Sequence, residues 1–165
     1  MREPGALILD LADDAATRRA GGALGRALAE VGGAGAFVTL AGDLGAGKTT
    51  LARGVLQALG VTGAVRSPTY TLVESYPVGT ARLHHLDWYR LGGLDDLEGM
   101  GFRDLQGAGQ WLLVEWPERI PAAAALADLA VRLDYAGSGR RLAASAATPR
   151  GAAILAYWMA DPALG

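Results

Sequence analysis

Cysteine and asparagine are absent from this chain of 165 residues, and lysine occurs once. Without cysteine there is no disulfide, no thiolate zinc site and no thiol nucleophile, and magnesium is the only metal the sequence suggests. No apolar run approaches the roughly 18 residues of a spanning helix. The N-terminus also lacks a basic segment followed by an apolar one, so the expectation is a cytoplasmic protein with no membrane contact. Net charge is slight, −2 at neutral pH, which argues against a broad electrostatic footprint for nucleic acid. Any RNA would be held through a partner. Repeats and linkers are absent too, and the length suits one domain over residues 1–165.

Fourteen arginines carry the remaining positive charge, so the single lysine, Lys48, stands apart. It lies in Gly42-Asp43-Leu44-Gly45-Ala46-Gly47-Lys48-Thr49-Thr50, which fits the G-x-x-x-x-G-K-[ST] pattern of a phosphate-binding loop. Backbone N–H groups of such a loop form an anion site at a helix N-terminus. A compact ammonium reaches between β- and γ-phosphates where a planar guanidinium needs different room. Residues Asp43 to Thr50 are therefore expected to bind nucleotide, with the Thr49 hydroxyl offered to Mg²⁺. The context agrees: Ala36 to Ala41 reads as a buried strand, and Leu51, Val55, Leu56 and Leu59 recur at helical spacing before Gly60.

Elsewhere the pattern predicts a first strand over Gly5 to Leu11 and a helix capped by Asp13 or Asp14, with Ala20, Ala23, Leu24, Ala27, Leu28 and Val31 on its apolar face. Thr71 to Tyr76 and Ala81 to Leu86 read as a hairpin around Pro77-Val78-Gly79-Thr80. A short helix is expected over Leu94 to Leu105, a strand over Gln110 to Glu115, and a hairpin joining Ala130–Tyr135 to Arg140–Ser145 through Gly137-Ser138-Gly139. A last helix runs from Arg150 to about Met159. The expected fold class is α/β, P-loop NTPase-like, with a mixed sheet whose parallel core carries antiparallel hairpins and flanking helices.

Phosphoryl transfer is mostly positioning and charge neutralisation, so a hydrolytic site needs acids beside the loop. Glu115 ends an apolar strand at its C-terminal edge, where open α/β sheets bind ligands, and resembles a Walker B acid. Asp87 is the second candidate. Alternation sets His85 and Asp87 on one face and His84 and Leu86 on the other, and either histidine reads better as a packed strand residue than as a catalyst. Arg90 reads as an internal arginine finger or, preferably, as the partner of Asp95 or Asp96. Ser67-Pro68-Thr69 is either an ordinary turn or a loop touching the γ-phosphate through Ser67 and Thr69. Trp116 either stacks on a base or packs under Pro117.

Taken with the loop, the segments SPTYTLVESY (Ser67 to Tyr76), HLDWYRL (His85 to Leu91) and LLVEWPER (Leu112 to Arg119) resemble one family, TsaE, also called YjeE. Its members are small bacterial ATPases required for threonylcarbamoyladenosine modification of tRNA. The resemblance spans roughly Leu7 to Ser145. It implies that Lys48 and Thr49 hold phosphate and magnesium, that Glu115 is the Mg²⁺-linked acid, and that Asp87 is a second acid needed for hydrolysis. It also sets Trp116 near the nucleotide and, as weaker matches, brings Thr17 and Arg140 toward it. ATP hydrolysis that resets a complex of TsaD and TsaB homologues is implied as well.

Two other functions share the loop. A small-molecule kinase ordinarily has an arginine-rich lid that excludes water, and after the loop this chain has one adjacent arginine pair, Arg140-Arg141. A nucleotide-controlled docking switch of the GTP type would read guanine through Asn-Lys-x-Asp, which a chain without asparagine cannot contain. ATP is the preferred nucleotide.

Overall fold

Ala36–Ala41 (β2) is buried on both faces, as a Phe-Val-Thr-Leu run in the middle of a parallel sheet must be. A computed structural model describes residues 6–63 and 65–165 and sets β2 inside a seven-stranded sheet. Its companions are β1 (Ala6–Leu11), β3 (Val73–Val78), β4 (Ala81–Asp87), β5 (Gln110–Glu115), β6 (Leu129–Ala136) and β7 (Gly139–Ala146), in the spatial order β1-β7-β6-β2-β5-β4-β3. The strands β6, β2, β5 and β4 run parallel. Antiparallel strands close both edges, β3 on β4 and β7 then β1 on β6. This is the mixed sheet with a parallel core that the sequence predicts.

Helices cover both faces. On one lie α1 (Asp14–Val31), α2 (Lys48–Ala58) and α5 (Pro149–Met159), burying Leu24, Leu28, Leu51, Val55, Ile154 and Trp158 against the sheet. On the other lie α3 (Leu94–Gly99), a 3₁₀ turn over Phe102–Leu105, and α4 (Pro121–Ala124). Their core centres on Phe37, Trp88 and Phe102, whose rings meet edge to face with centroids 5.7–6.2 Å apart. Among the described residues no helix is long and apolar enough to cross a membrane.

Caps, close backbone contacts and buried hydrogen bonds set the helices in place. Asp13 caps α1 by accepting from the Ala16 amide at 2.8 Å. Between α1 and α2 the backbones touch: a Cβ on Gly21 would fall inside van der Waals contact with the Leu51 carbonyl oxygen, and one on Gly54 with that of Arg18. At the far side, buried Asp128 accepts from the Phe37 amide at 2.8 Å and from the Thr148 hydroxyl at 2.7 Å. Thr148 in turn caps α5 through the Gly151 amide. The Trp158 indole then donates to the Ala20 carbonyl at 2.9 Å, tying α5 to α1.

Several boundaries differ from the sequence pattern. Gly5, expected in the first strand, lies outside the described residues. β3 starts at Val73 and continues through Pro77 and Val78, so the hairpin turns on Gly79-Thr80 alone. A proline is tolerated there because β3 is an edge strand. The second hairpin likewise turns on Gly137-Ser138 alone. The expected Leu94–Leu105 helix breaks at Gly101, whose φ of 77° leaves the helical region. α4 has no counterpart among the sequence expectations, being too short to show a period.

Candidate functional site

β2 delivers the chain to the C-terminal edge of the sheet, where Gly42 to Gly47 loop over and α2 begins at Lys48. Gly47 is the N-cap with φ of 108°, a left-handed conformation that a side chain would strain. Gly42 has no room for a Cβ, which would press on the Leu133 carbonyl. α2 has neither a side-chain cap nor an acid in its first turn. Its free N–H groups and the positive end of its dipole are thus uncompensated by the protein, the condition that favours an anion.

The loop's carbonyls are held from outside. The Tyr135 hydroxyl donates to Leu44 O at 2.8 Å, while the Arg140 guanidinium donates to Gly45 O and Ala46 O, each at 3.2 Å. From within, Lys48 Nζ donates to the carbonyls of Gly42 and Asp43 and sits 3.8 Å from the Trp116 ring centroid. Lys48 is buried, and burial lowers its pKa below the ordinary lysine value, opposed by the charges of Glu115, Glu118, Asp87 and Asp43.

Parallel pairing of β4 with β5 puts Asp87 directly opposite Glu115 at the same edge. Asp87 accepts from the Tyr89 amide at 2.8 Å, and the Thr69 hydroxyl approaches its other oxygen at 3.5 Å. Glu115 Oε2 lies 2.6 Å from His85 Nε2. Thr69 is itself tied down, its hydroxyl bonded to that of Ser67 at 2.7 Å and its carbonyl accepting from Arg90. Trp116 follows Glu115 with φ of 60° and ψ of 51°. A non-glycine residue held there costs on the order of 1–3 kcal/mol, and the turn aims the indole over Lys48 and against the Tyr89 ring, 5.0 Å away.

These groups enclose a cleft of about 520 Å³. Of the residues expected from sequence, Leu44, Gly45, Gly47, Lys48, Thr49 and Thr50 line it from the loop and α2, and Thr69, Asp87, Glu115, Trp116 and Arg140 from elsewhere. Asp43 and Ala46 belong to the loop but not to the cleft wall. Ser67 reaches it only through Thr69. Thr17 is buried beneath the loop, its hydroxyl donating to Asp13 O at 3.3 Å. Arg90 pairs with neither Asp95 nor Asp96, correcting the preferred sequence assignment; Asp96 instead accepts from the Gly92 amide at 2.6 Å. Asp14, Tyr89 and Tyr135 were not expected at the site, because nothing local connects them with the loop.

Thr49 Oγ1 and the carboxylates of Asp87 and Glu115 supply hard oxygen donors to one cleft, which suits Mg²⁺ better than a thiophilic metal. Among the described residues no group of three or more His, Cys, Asp and Glu is gathered for a metal. A magnesium ion here would take the rest of its shell from phosphate and water, its usual habit.

Burial raises the Asp87 pKa above the ordinary carboxylate value, opposed by the Tyr89 amide and reinforced by Glu115. A carboxyl with a raised folded pKa lends stability that is fully present below its unfolded pKa and lost as pH rises through the folded one. Ionised Asp87 therefore costs stability at neutral pH. Asp87→Asn, which keeps an acceptor for the Tyr89 amide, is expected to melt higher than wild type at neutral pH, with the gain vanishing in acid. Thermal melts from acid to neutral pH in EDTA check this, and a gain that did not change with pH would contradict it.

Comparison with known proteins identifies the family. Residues 11–142 match the model of the family described as threonylcarbamoyl adenosine biosynthesis protein TsaE. The chain is 44% identical over 119 residues to the tRNA threonylcarbamoyladenosine biosynthesis protein TsaE of Haemophilus influenzae, covering 72% of this chain and 75% of that protein. It is 48% identical over 98 residues to the Streptomyces coelicolor protein of the same name, covering 58% and 66%. The crystal structure of Bacillus subtilis YdiB superposes with a TM-score of 0.72 at 29% identity, over 96% of this chain and 97% of that one. The chain therefore belongs to the TsaE family, which takes part in tRNA threonylcarbamoyladenosine biosynthesis.

Proposed function

We propose that this protein is a Mg²⁺-dependent ATPase, converting ATP to ADP and phosphate, that acts in the cytoplasm on a complex of TsaB and TsaD homologues and resets it between rounds of tRNA modification. One observation carries the nucleotide chemistry: the sole lysine lies at an uncapped helix N-terminus, in one cleft with the register-paired acids Asp87 and Glu115. The partnership rests on the family.

In this scheme the N–H groups of Leu44 to Thr49 take the phosphates, and Lys48 meets the β- and γ-oxygens. Thr49, Glu115 and Asp87 are the residues that would hold Mg²⁺, and the ion supplies neutralisation of charge on the phosphate oxygens. Asp87 and Glu115 also orient the attacking water, while Trp116 and Tyr89 wall the cleft. Arg140 and the Thr69 loop border it on the outside. No side chain in the described cleft is a free arginine finger: Arg90 and Arg140 are both engaged with carbonyls. Missing transition-state charge of that kind costs roughly 10³ to 10⁵ in rate, so the isolated chain should turn over slowly.

The test is phosphate release from Mg-ATP with and without a purified TsaB–TsaD pair. Faster turnover in the complex is expected, together with a loss of about a hundredfold, or 2.7 kcal/mol, in Glu115→Ala or Asp87→Ala. Free tRNA should not bind the chain appreciably at physiological salt. An ATPase indifferent to the pair, or transfer of phosphate to a small-molecule acceptor, would reject the proposal.

A further inference from the structure

The ATPase scheme leaves one fully buried titratable group unused. His85 precedes Asp87 by two positions on β4 and stands opposite Leu113 of β5, so its ring and the Glu115 side chain share a sheet face and meet on the diagonal. Its Nε2 lies 2.6 Å from Glu115 Oε2, whereas its Nδ1 is sealed from solvent and has no hydrogen-bond partner. His85 does not line the cleft. It therefore touches no substrate and can act only through Glu115.

The orphaned nitrogen identifies the tautomer. A proton on Nδ1 would bury an unsatisfied donor and press the Nε2 lone pair against a carboxylate oxygen. A proton on Nε2 makes a charge-assisted bond and leaves only a ring lone pair without a partner, the cheaper loss. We infer that His85 is a positioning residue: it donates Nε2–H to Glu115 Oε2, locks that side chain in one orientation, and leaves Oε1 for the cleft. This rests on the ATPase reading, since a fixed carboxylate matters only if the carboxylate works. A reacting group displaced by about 1 Å can lose a factor of roughly 10², and partners of this kind are typically worth 10- to 100-fold.

The chain holds two histidines, which makes the test direct. Long-range ¹H–¹⁵N NMR of the full protein, assigned with His84→Gln, should show His85 protonated on Nε2, with that resonance moving in Glu115→Gln. Protonation on Nδ1 would overturn the inference. In turnover with the partner pair, His85→Leu should lower kcat by about 10- to 100-fold while ATP affinity, read by tryptophan fluorescence, stays within about threefold. His85→Gln, whose amide nitrogen can stand in for Nε2, should recover most of the loss. In a Glu115→Gln background His85→Leu should add nothing, and losses that multiply would overturn the claim. So would a folded His85→Leu with wild-type kcat. Should His85→Leu fail to fold, the NMR and His85→Gln arms still decide: a wrong tautomer, or a folded His85→Gln with its kcat lowered 10-fold or more, overturns it. Wild type without turnover would reject the ATPase reading, whereas active wild type, dead Glu115→Ala and active His85→Leu would reject this inference alone.

Discussion

Lys48→Ala is expected to lower ATP turnover by about 10³-fold or more, some 4 kcal/mol of transition-state stabilisation. The size follows from position. The ammonium is buried among the loop carbonyls, the Trp116 ring and two acids, so removing it strips the cleft of its one deep positive side chain and leaves Asp87 and Glu115 facing the phosphates unopposed. Lys48→Arg should not restore activity. The space between the Trp116 face and the carbonyls of Gly42 and Asp43 takes a point charge, and a planar fork would have to displace one wall. Being the sole lysine, Lys48 also permits a chemical check. An amine-directed ATP analogue has only Lys48 and the α-amino group to acylate, and labelling should map to Lys48 and be blocked by Mg-ATP. Labelling confined to the N-terminus, with ATP binding shown independently, would move the phosphates elsewhere.

The second large effect is on stability. Alanine is the better helix former by about 1 kcal/mol, so Gly54→Ala in α2 would gain if space allowed. It does not: the new methyl would meet the Arg18 carbonyl oxygen well inside contact distance, with Arg18 Cα and C each 3.0 Å away. These are backbone atoms of α1 and have no rotamer through which to yield. The helices must part, loosening Leu24, Leu51 and Val55 together, and overpacking of this kind, about 3 kcal/mol, outweighs propensity for a net loss of about 2 kcal/mol. Gly22→Ala is the control. Its nearest neighbour is the flexible Arg26 Nη1 at 3.5 Å, so it should be neutral or stabilising by up to about 1 kcal/mol. Urea midpoints at unchanged slope distinguish the two, and equal shifts for both variants would show that α1 and α2 are not locked by their glycines.

Much of this was legible before any coordinates. The loop around Lys48 is a local object, readable because a buried strand, three glycines and a periodic helix follow one another within about two dozen residues. Hairpins were legible for the same reason, although both turns are two residues long, the first because β3 tolerates Pro77 at the edge. What escaped depends on register. Alternation puts His85 on the face of Asp87, but only the pairing of β4 with β5 brings it to Glu115. Arg90 stood beside two acids in sequence, and the fold turned it back to Thr69 instead. The outward clamp of Tyr135 and Arg140 on the loop joins elements some 91 to 95 positions apart, a separation over which no period carries information.

The outer position of β1 has a consequence for biogenesis. β1 pairs with nothing near it in sequence: its partner is β7, and the ion pair that spans them, Arg141 with Asp10, joins residues 131 apart. Closing so long a loop comes late, since its entropy must be met before the pairing returns anything. During synthesis β1 must therefore wait, unpaired, until β7 has emerged, whereas α1 has α2 to pack against much sooner. A chain cut short before Gly139 leaves β1 without its neighbour, a bare strand edge of the kind that recruits other molecules. The nucleotide loop is complete before residue 50, yet the β6–β7 hairpin that steadies it through Tyr135 and Arg140 is made some 91 to 94 residues later, so nascent chains carry the motif long before they carry the site.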